Sequence, residues 1–348
     1  MITVSLCMIV KNEEDVLARC LDSVADLMDE IIIVDTGSTD KTTDIACRYT
    51  DKVYFFDWID DFAAARNFSF SKATMQYCMW LDADDILEEN AREQLRELKQ
   101  TMSDSIDVVM MKYHISFDEG GNPVFSYYRE RLLKNSPVYR WAGAVHEAIT
   151  PCGEIIYSDI AVSHKKMGSG DSDRNLRIFE KLIAKGEVLQ PREQFYYARE
   201  LYYHKRYREA EQGFEIFLSM PNGWVENRIE ACRFLAFCRR ENGQNESELD
   251  ALLRSLHYDT PRAEVCCDIG QYFMDRQLYR TAIFWYETAL SRERKDTSGG
   301  FVLPDCYGFI PCMQLCVCYD RIGERKQAQQ YNEMAGRIKP NSPEYLYN

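Results

Sequence analysis

Through the first 165 residues the apolar positions cluster in short runs rich in β-branched side chains: "ITVSLCMIV", "EIIIVDT", "KVYFFDW", "YCMWLDAD" and "DVVMMKYHIS". Amphipathic segments near 13–26, 39–48 and 61–74 separate the first four runs. Strands alternating with helices predict an α/β sheet with parallel strands. The stretch "TGSTDKTTDIA" offers Ser38, Thr39 and Asp40 as caps for the second helix, because a short polar side chain can accept hydrogen bonds from the free amides of a first helical turn.

Beyond about residue 170 the strand pattern stops, and aromatic and small residues recur on long helical segments. Small residues pair twelve positions apart, Ala198 with Ala210, Gly270 with Ala282 and Cys316 with Ala328. A fourth unit has Ala236 in the first small position but Glu248 in the second. These units resemble tetratricopeptide repeats, helix pairs recurring at about 34 residues. The interval from Ala236 to Gly270 is 34 residues, whereas 198 to 236 is 38 and 270 to 316 is 46. Insertions are therefore expected, foremost "RKDTSGGFVLPDCYG" at 294–308. The change of period predicts an α/β domain over 1–168 and an all-α repeat domain over 169–348.

The balance of 42 basic against 56 acidic residues, with no long Lys/Arg run, argues against nucleic acid as a partner. The longest apolar stretches fall far short of the roughly 20 residues that span a bilayer, so no transmembrane helix is expected. No basic region precedes the first apolar run, unlike a secretory signal. Together with 13 cysteines lacking paired CxxC spacing, this suggests reduced thiols and a cytoplasmic location. Cys312, Cys316 and Cys318 come closest to a metal-binding pattern, but small apolar residues suit buried helix positions equally well.

The chemistry gathers where strands end. "MIVKNEE" leaves its strand on Lys11, Asn12 and Glu13, "IIIVDTGSTDKT" on Asp35, and "MWLDADDILEEN" on Asp82, Asp84 and Asp85. Like charges so close resist desolvation unless water or a cation meets them. In an open parallel sheet ligands bind beyond the carboxyl ends of the strands, so all three features point to one crevice.

With "DFAAARNF" added, these motifs resemble the family 2 glycosyltransferases of GT-A fold, over about residues 1 to 165. Four motifs in this order carry the resemblance; a D-x-D alone would not. Together with the repeats, the layout is similar to a bacterial type in which a short glycosyltransferase domain precedes tetratricopeptide repeats. The resemblance implies a donor site for a nucleotide-diphosphate sugar involving Lys11, Glu13, Asp35, Arg66 and Asp82. Asp35 would accept from the base, and Lys11 or Arg66 would face the diphosphate. The alternative for Asp35 is a helix-capping or turn role with "TGSTD". Asp84 is the expected ligand of Mn²⁺ or Mg²⁺, with His164 completing the shell, while Asp85 either joins the site or caps the helix that follows.

On the acceptor side, "YYRERLLKNSPVYRWAGAVHEAI" at 127–149 supplies Arg129, Arg131, Trp141, His146 and Glu147. An inverting transferase needs one base, for which Glu147 is the first choice and His146 the second; an ion pair with a nearby arginine is the alternative for Glu147. Trp141 would stack on a sugar or lie in the core. The expected activity is metal-dependent inverting hexosyl transfer, from a UDP-sugar by family resemblance, to a saccharide or to a peptide or protein. The competing expectation is a protein-binding scaffold whose glycosyltransferase domain is inactive. The repeats would bind an acceptor or protein partner, or mediate self-association.

Overall fold

The computed structural model describes residues 1–118, 120–166 and 171–347. Contacts divide the chain into two units, Met1–Glu187 and Val188–Asn348. The first unit runs β1 (Val4–Val10), α1 (Leu17–Asp22), β2 (Glu30–Asp35), α2 (Thr42–Ala46), β3 (Val53–Phe55), α3 (Phe62–Phe70), β4 (Tyr77–Trp80), β5 (Asp85–Ile86), α4 (Glu89–Thr101), β6 (Val108–Phe117), β7 (Pro123–Lys134), β8 (Ile155–His164) and α5 (Arg174–Ala184). The domain boundary expected at 168/169 lies outside the described residues. Helix α5 falls within the first unit, where Lys181 pairs with Asp60 and the Arg174 guanidinium lies over the Phe62 ring.

Among the described residues the eight strands form one sheet in the order β3-β2-β1-β4-β7-β6-β8-β5. β3, β2, β1 and β4 are mutually parallel, as their helical crossovers require. β7 runs antiparallel to both β4 and β6, β8 is parallel to β6, and β5 is antiparallel to β8. Strand alternation sends Leu6, Met8 and Val10 into one core with Leu17 and Leu21, while Cys7, Ile32, Val34 and Cys78 pack on the other side. Burial on both faces explains why these strands read as continuous apolar runs.

Two local expectations are corrected. Of the three candidate caps for α2 only Asp40 bonds its first turn, its Oδ1 accepting from the Thr42 amide at 3.0 Å; Ser38 and Thr39 instead tie the ends of β1 and β2 together. The first part of the acceptor-side stretch, 127–134, belongs to a long strand, β7 (Pro123–Lys134), that the pattern did not predict. Its buried Glu130 and Arg131 masked the apolar signal.

Glu30 anchors the amino end of β2. Its carboxylate is almost fully buried and accepts hydrogen bonds from Ser5, from Lys52 at 2.5 Å, and from the amide and hydroxyl of Thr74, each at 2.8 Å. Desolvation opposes ionisation, but the bonds from Lys52, Ser5 and Thr74 outweigh it and hold the pKa down to about 2. The folded state thus favours the ionised form more than the unfolded chain does. This contribution is full above the ordinary glutamate pKa and is lost as pH falls toward 2. Discounted for the partly exposed Lys52, it is of order 2 kcal/mol. Urea titrations at pH 7 and pH 3 should show Glu30→Gln losing less stability on acidification than the wild type; equal losses would contradict this.

The second unit stacks four helix pairs: α6 (Pro191–Tyr203) with α7 (Tyr207–Ser219), α8 (Val225–Glu241) with α9 (Glu248–Arg254), α10 (Ala263–Asp275) with α11 (Tyr279–Leu290), and α12 (Phe309–Arg321) with α13 (Arg325–Ile338). A short α14 (Pro343–Tyr347) follows. Ala198, Ala210, Ala236, Gly270, Ala282 and Ala328 are all buried, as close helix packing requires, whereas Cys316 is only partly so. A Cβ on Gly270 would stand 2.8 Å from the Tyr286 ring. Glu248 is tolerated at its small-residue position because Arg240 and Arg276 flank it, each at 3.8 Å. Cys312 and Cys318 are buried free thiols in α12, consistent with helix packing. No helix among the described residues is long and apolar enough to cross a membrane.

Candidate functional site

The turns after β1 and β2 interlock. Asn12 takes φ +55°; its amide donates to Ser38 Oγ at 2.9 Å, and its Oδ1 accepts from the Thr39 amide at 2.8 Å. The amides of Glu13 and Glu14 donate to Thr42 Oγ1 and Asp40 Oδ2. At the end of β2 the Asp35 carboxylate accepts from the Gly37 and Ser38 amides, the turn role that was one of its two expected readings. Lys11 is exposed beside this loop. Among the described residues, neither Lys11 nor Asp35 bonds to the carboxylates that follow β4.

Those carboxylates divide into two groups. Asp82 Oδ1 accepts from Arg66 Nη2 at 2.6 Å, and Arg66 Nε donates to Glu147 Oε1, also at 2.6 Å. One guanidinium, carried on α3, thus ties the end of β4 to a loop 65 residues further along the chain (82 to 147). Arg66 is buried, with its guanidinium carbon 5.0 Å from the Trp80 ring centroid and 4.8 Å from that of Trp141. Burial disfavours the charged forms, but Arg66 first and then Arg131 hold Asp82 well below the usual carboxylate range. Arg66, expected to face a diphosphate, directs these two nitrogens at carboxylates instead. The ion pair weighed as the alternative for Glu147 is present.

The loop carrying Glu147 is tightly made. An antiparallel bridge joins Ala142 to Ala148, with Gly143 at φ +95° and the partly buried His146 at φ +53°. A left-handed backbone at a non-glycine residue is held only by its surroundings, and here it turns Glu147 toward Arg66. Trp141 is 3% exposed and packs edge-on against Trp80 and Phe70. It is therefore core, supporting Arg66, and presents no sugar-stacking platform.

The second group is Asp84, Asp85 and His164, whose ligand atoms lie within 4.8 Å of one another. β5 pairs with β8 in a register that puts Asp85 opposite His164. His164 Nδ1 is 3.0 Å from the Tyr113 hydroxyl, 3.3 Å from Asp84 Oδ1 and 3.5 Å from Asp85 Oδ1. Contacts with Asp84 first and Asp85 next raise its pKa to about 10. A protonated imidazole therefore balances the carboxylates, and a divalent cation on the same atoms would displace that proton. Asp85 is fully buried; its Oδ2 accepts from Arg131 at 2.9 Å and from the Asp82 amide at 3.0 Å, while its Oδ1 has only the His164 ring nitrogen, 3.5 Å away. A buried carboxylate oxygen aimed at Asp84 and His164 fits an oxygen-seeking cation. The alternative in which Asp85 caps a helix is corrected: Glu88 holds that position.

Glu13 senses both groups. Desolvation first, then the charges of Asp84 and Asp82, push its pKa up to about 7, with Arg174 on α5 acting in the opposite direction. Sequence reasoning placed Arg131 on the acceptor side rather than against Asp85, and it missed Tyr113. Arg131 is buried to 0% exposure between the Trp80 and Tyr113 rings, 3.7 and 4.3 Å from their centroids. The signal available was its alternation with Arg129 along an otherwise aromatic and aliphatic strand.

Residues 5–151 match the model of the glycosyl transferase family 2. A TPR repeat-containing protein of Synechococcus elongatus is 39% identical over 43% of this chain and 36% of its own length. The SPbeta prophage-derived glycosyltransferase SunS of Bacillus subtilis is 28% identical over 60% of this chain and 51% of its own. The lipopolysaccharide core biosynthesis glycosyltransferase LpsC of Rhizobium meliloti is 29% identical over 41% of this chain and 56% of its own. The chain thus spans between about a third and a little over half of these relatives' lengths.

Proposed function

On the premise that the first unit carries a family 2 glycosyltransferase domain, we propose that the protein is a metal-dependent inverting hexosyltransferase using a nucleotide-diphosphate sugar, a UDP-sugar in first place. The acceptor is a saccharide or a peptide or protein, and the repeats dock that acceptor or another protein partner. One observation carries this reading: the acidic run after β4 is sorted, Asp82 going to Arg66 and Glu147, and Asp84 to His164.

Each residue then has a task its chemistry allows. Asp35 keeps lone pairs for the edge of the base beyond those used by its own turn, and Lys11 lends charge to the diphosphate. Asp84, His164 and Oδ1 of Asp85 would hold Mn²⁺ or Mg²⁺, which when bound neutralises the departing diphosphate. Glu147 removes the acceptor proton as the acceptor atom bonds to the anomeric carbon; the bond from that carbon to the diphosphate oxygen breaks, and its electron pair leaves with the nucleoside diphosphate. Arg66 positions Glu147 relative to Asp82, and His146, next to it on the same loop, is the second candidate for the base.

The stereochemistry tests the single displacement. Proton NMR of a product formed from an α-linked UDP-hexose should show a β linkage. An α linkage would exclude direct attack assisted by one base.

A further inference from the structure

Residues 291–308 stand between α11 and α12, where only 220–224 separate α7 from α8. This insertion lies along the face made by the first helices of three pairs. The Arg199 guanidinium of α6 is 5.0 Å from the Phe301 ring centroid. Gly300 is buried against α8 so closely that a Cβ would stand 2.6 Å from Glu226 Oε2, and Gly299, at φ +78°, packs on Trp224. On α10 the buried Glu264 gives both oxygens to the insertion, Oε1 accepting from the Leu303 amide at 2.7 Å and Oε2 from the Tyr307 hydroxyl at 3.1 Å.

Two glycines followed by Phe-Val-Leu let the backbone come close enough for the extended Leu303 to bond a buried carboxylate through its amide while the stretch presents apolar side chains. This is how a repeat face would hold a peptide from another molecule. Leu303 also borders a cleft of about 300 Å³ on the same face, walled by Tyr202, Phe234 and Phe237, in which Arg233 is already paired with Glu230 and Asp268. Aromatic walls suit a continuing chain of apolar residues.

We propose that residues 299–303 are a self-ligand of the face formed by α6, α8 and α10, and that an extended peptide carrying an aromatic and an aliphatic residue binds there only by displacing them. The inference rests on the repeats being a partner-binding surface, and it is independent of sugar transfer. Tethering gives the insertion an effective concentration on the order of millimolar, so a free peptide of ordinary affinity competes poorly.

The test uses a labelled synthetic peptide of residues 298–305, SGGFVLPD, and a full-length variant with 299–303 replaced by a Gly-Ser linker of equal length. Fluorescence anisotropy should show binding to the variant at least tenfold tighter than to the wild type. Glu264→Gln in the variant background should weaken that binding, because a carboxylate is lost as acceptor. In the wild type, hydrogen exchange at the Leu303 amide should be at least tenfold slower than in the free peptide. Equal binding to both chains, or no binding to a variant whose circular dichroism and Tm match the wild type, overturns the proposal. So does a Leu303 amide exchanging at the free-peptide rate, a readout that needs no variant. Neither readout involves sugar transfer, so failure here leaves the proposed activity standing.

Discussion

Glu147→Gln is expected to lower kcat by about 10²- to 10⁴-fold, the usual contribution of a positioned general base. The substitution is chosen so that structure survives. Arg66 Nε donates to Glu147 Oε1, and a glutamine carbonyl can accept the same bond, so the Asp82–Arg66 pair and the Trp80–Trp141 platform stay in place. What disappears is the capacity to take a proton. Nucleotide affinity should therefore stay within about threefold of wild type while turnover falls, a split that purely structural damage would not give. Undiminished turnover would move the base elsewhere, with His146 the next candidate.

Asp84→Ala should remove the dependence of nucleotide binding on Mn²⁺. Asp84 and His164 are the two partly exposed members of the candidate metal group, and Asp85 is held by Arg131 and the Asp82 amide. Without Asp84 the remaining donors are one imidazole and one oxygen of a carboxylate already in an ion pair, too few for a hard cation that prefers several oxygens. The fold should persist, because Asp84 is partly exposed and carries none of the buried Arg131 pairing. By contrast, removing Asp85 would leave Arg131 charged and unpaired at 0% exposure, so Asp84 is the informative position.

How much of this was legible in the sequence depended on whether a residue's partner was near in the chain. The ends of β1, β2 and β4 declared themselves because an apolar run stops on polar residues, and the helix pairs because small residues recur twelve apart. Asp84 with His164 was foreseeable as ligand chemistry, since a strand-end carboxylate and a strand-end imidazole can meet across a sheet. The position of Arg66 was not. A sequence shows that a cation exists, but the choice between a phosphate and two carboxylates is made by α3 and the Ala142–Ala148 loop packing against β4. Strand β7 was hidden for a related reason. Its Arg131 and Glu130 are buried ion-pair members, so its pattern read as surface until Asp85 and Arg129 supplied the compensating charges. Glu248 shows the same effect in the repeats: an apparent defect in the motif becomes acceptable once Arg240 and Arg276 flank it.

The proposed function puts a metal-dependent nucleotide-sugar site in the crevice beyond β1, β2 and β4. Calorimetric titration of the full chain with UDP and with GDP, each with and without Mn²⁺, tests it most directly. One nucleotide, UDP in first place, should bind at least tenfold tighter with Mn²⁺, and Asp84→Ala should abolish the difference. Absence of binding by either nucleotide under every condition would contradict it, leaving the repeats as the seat of function.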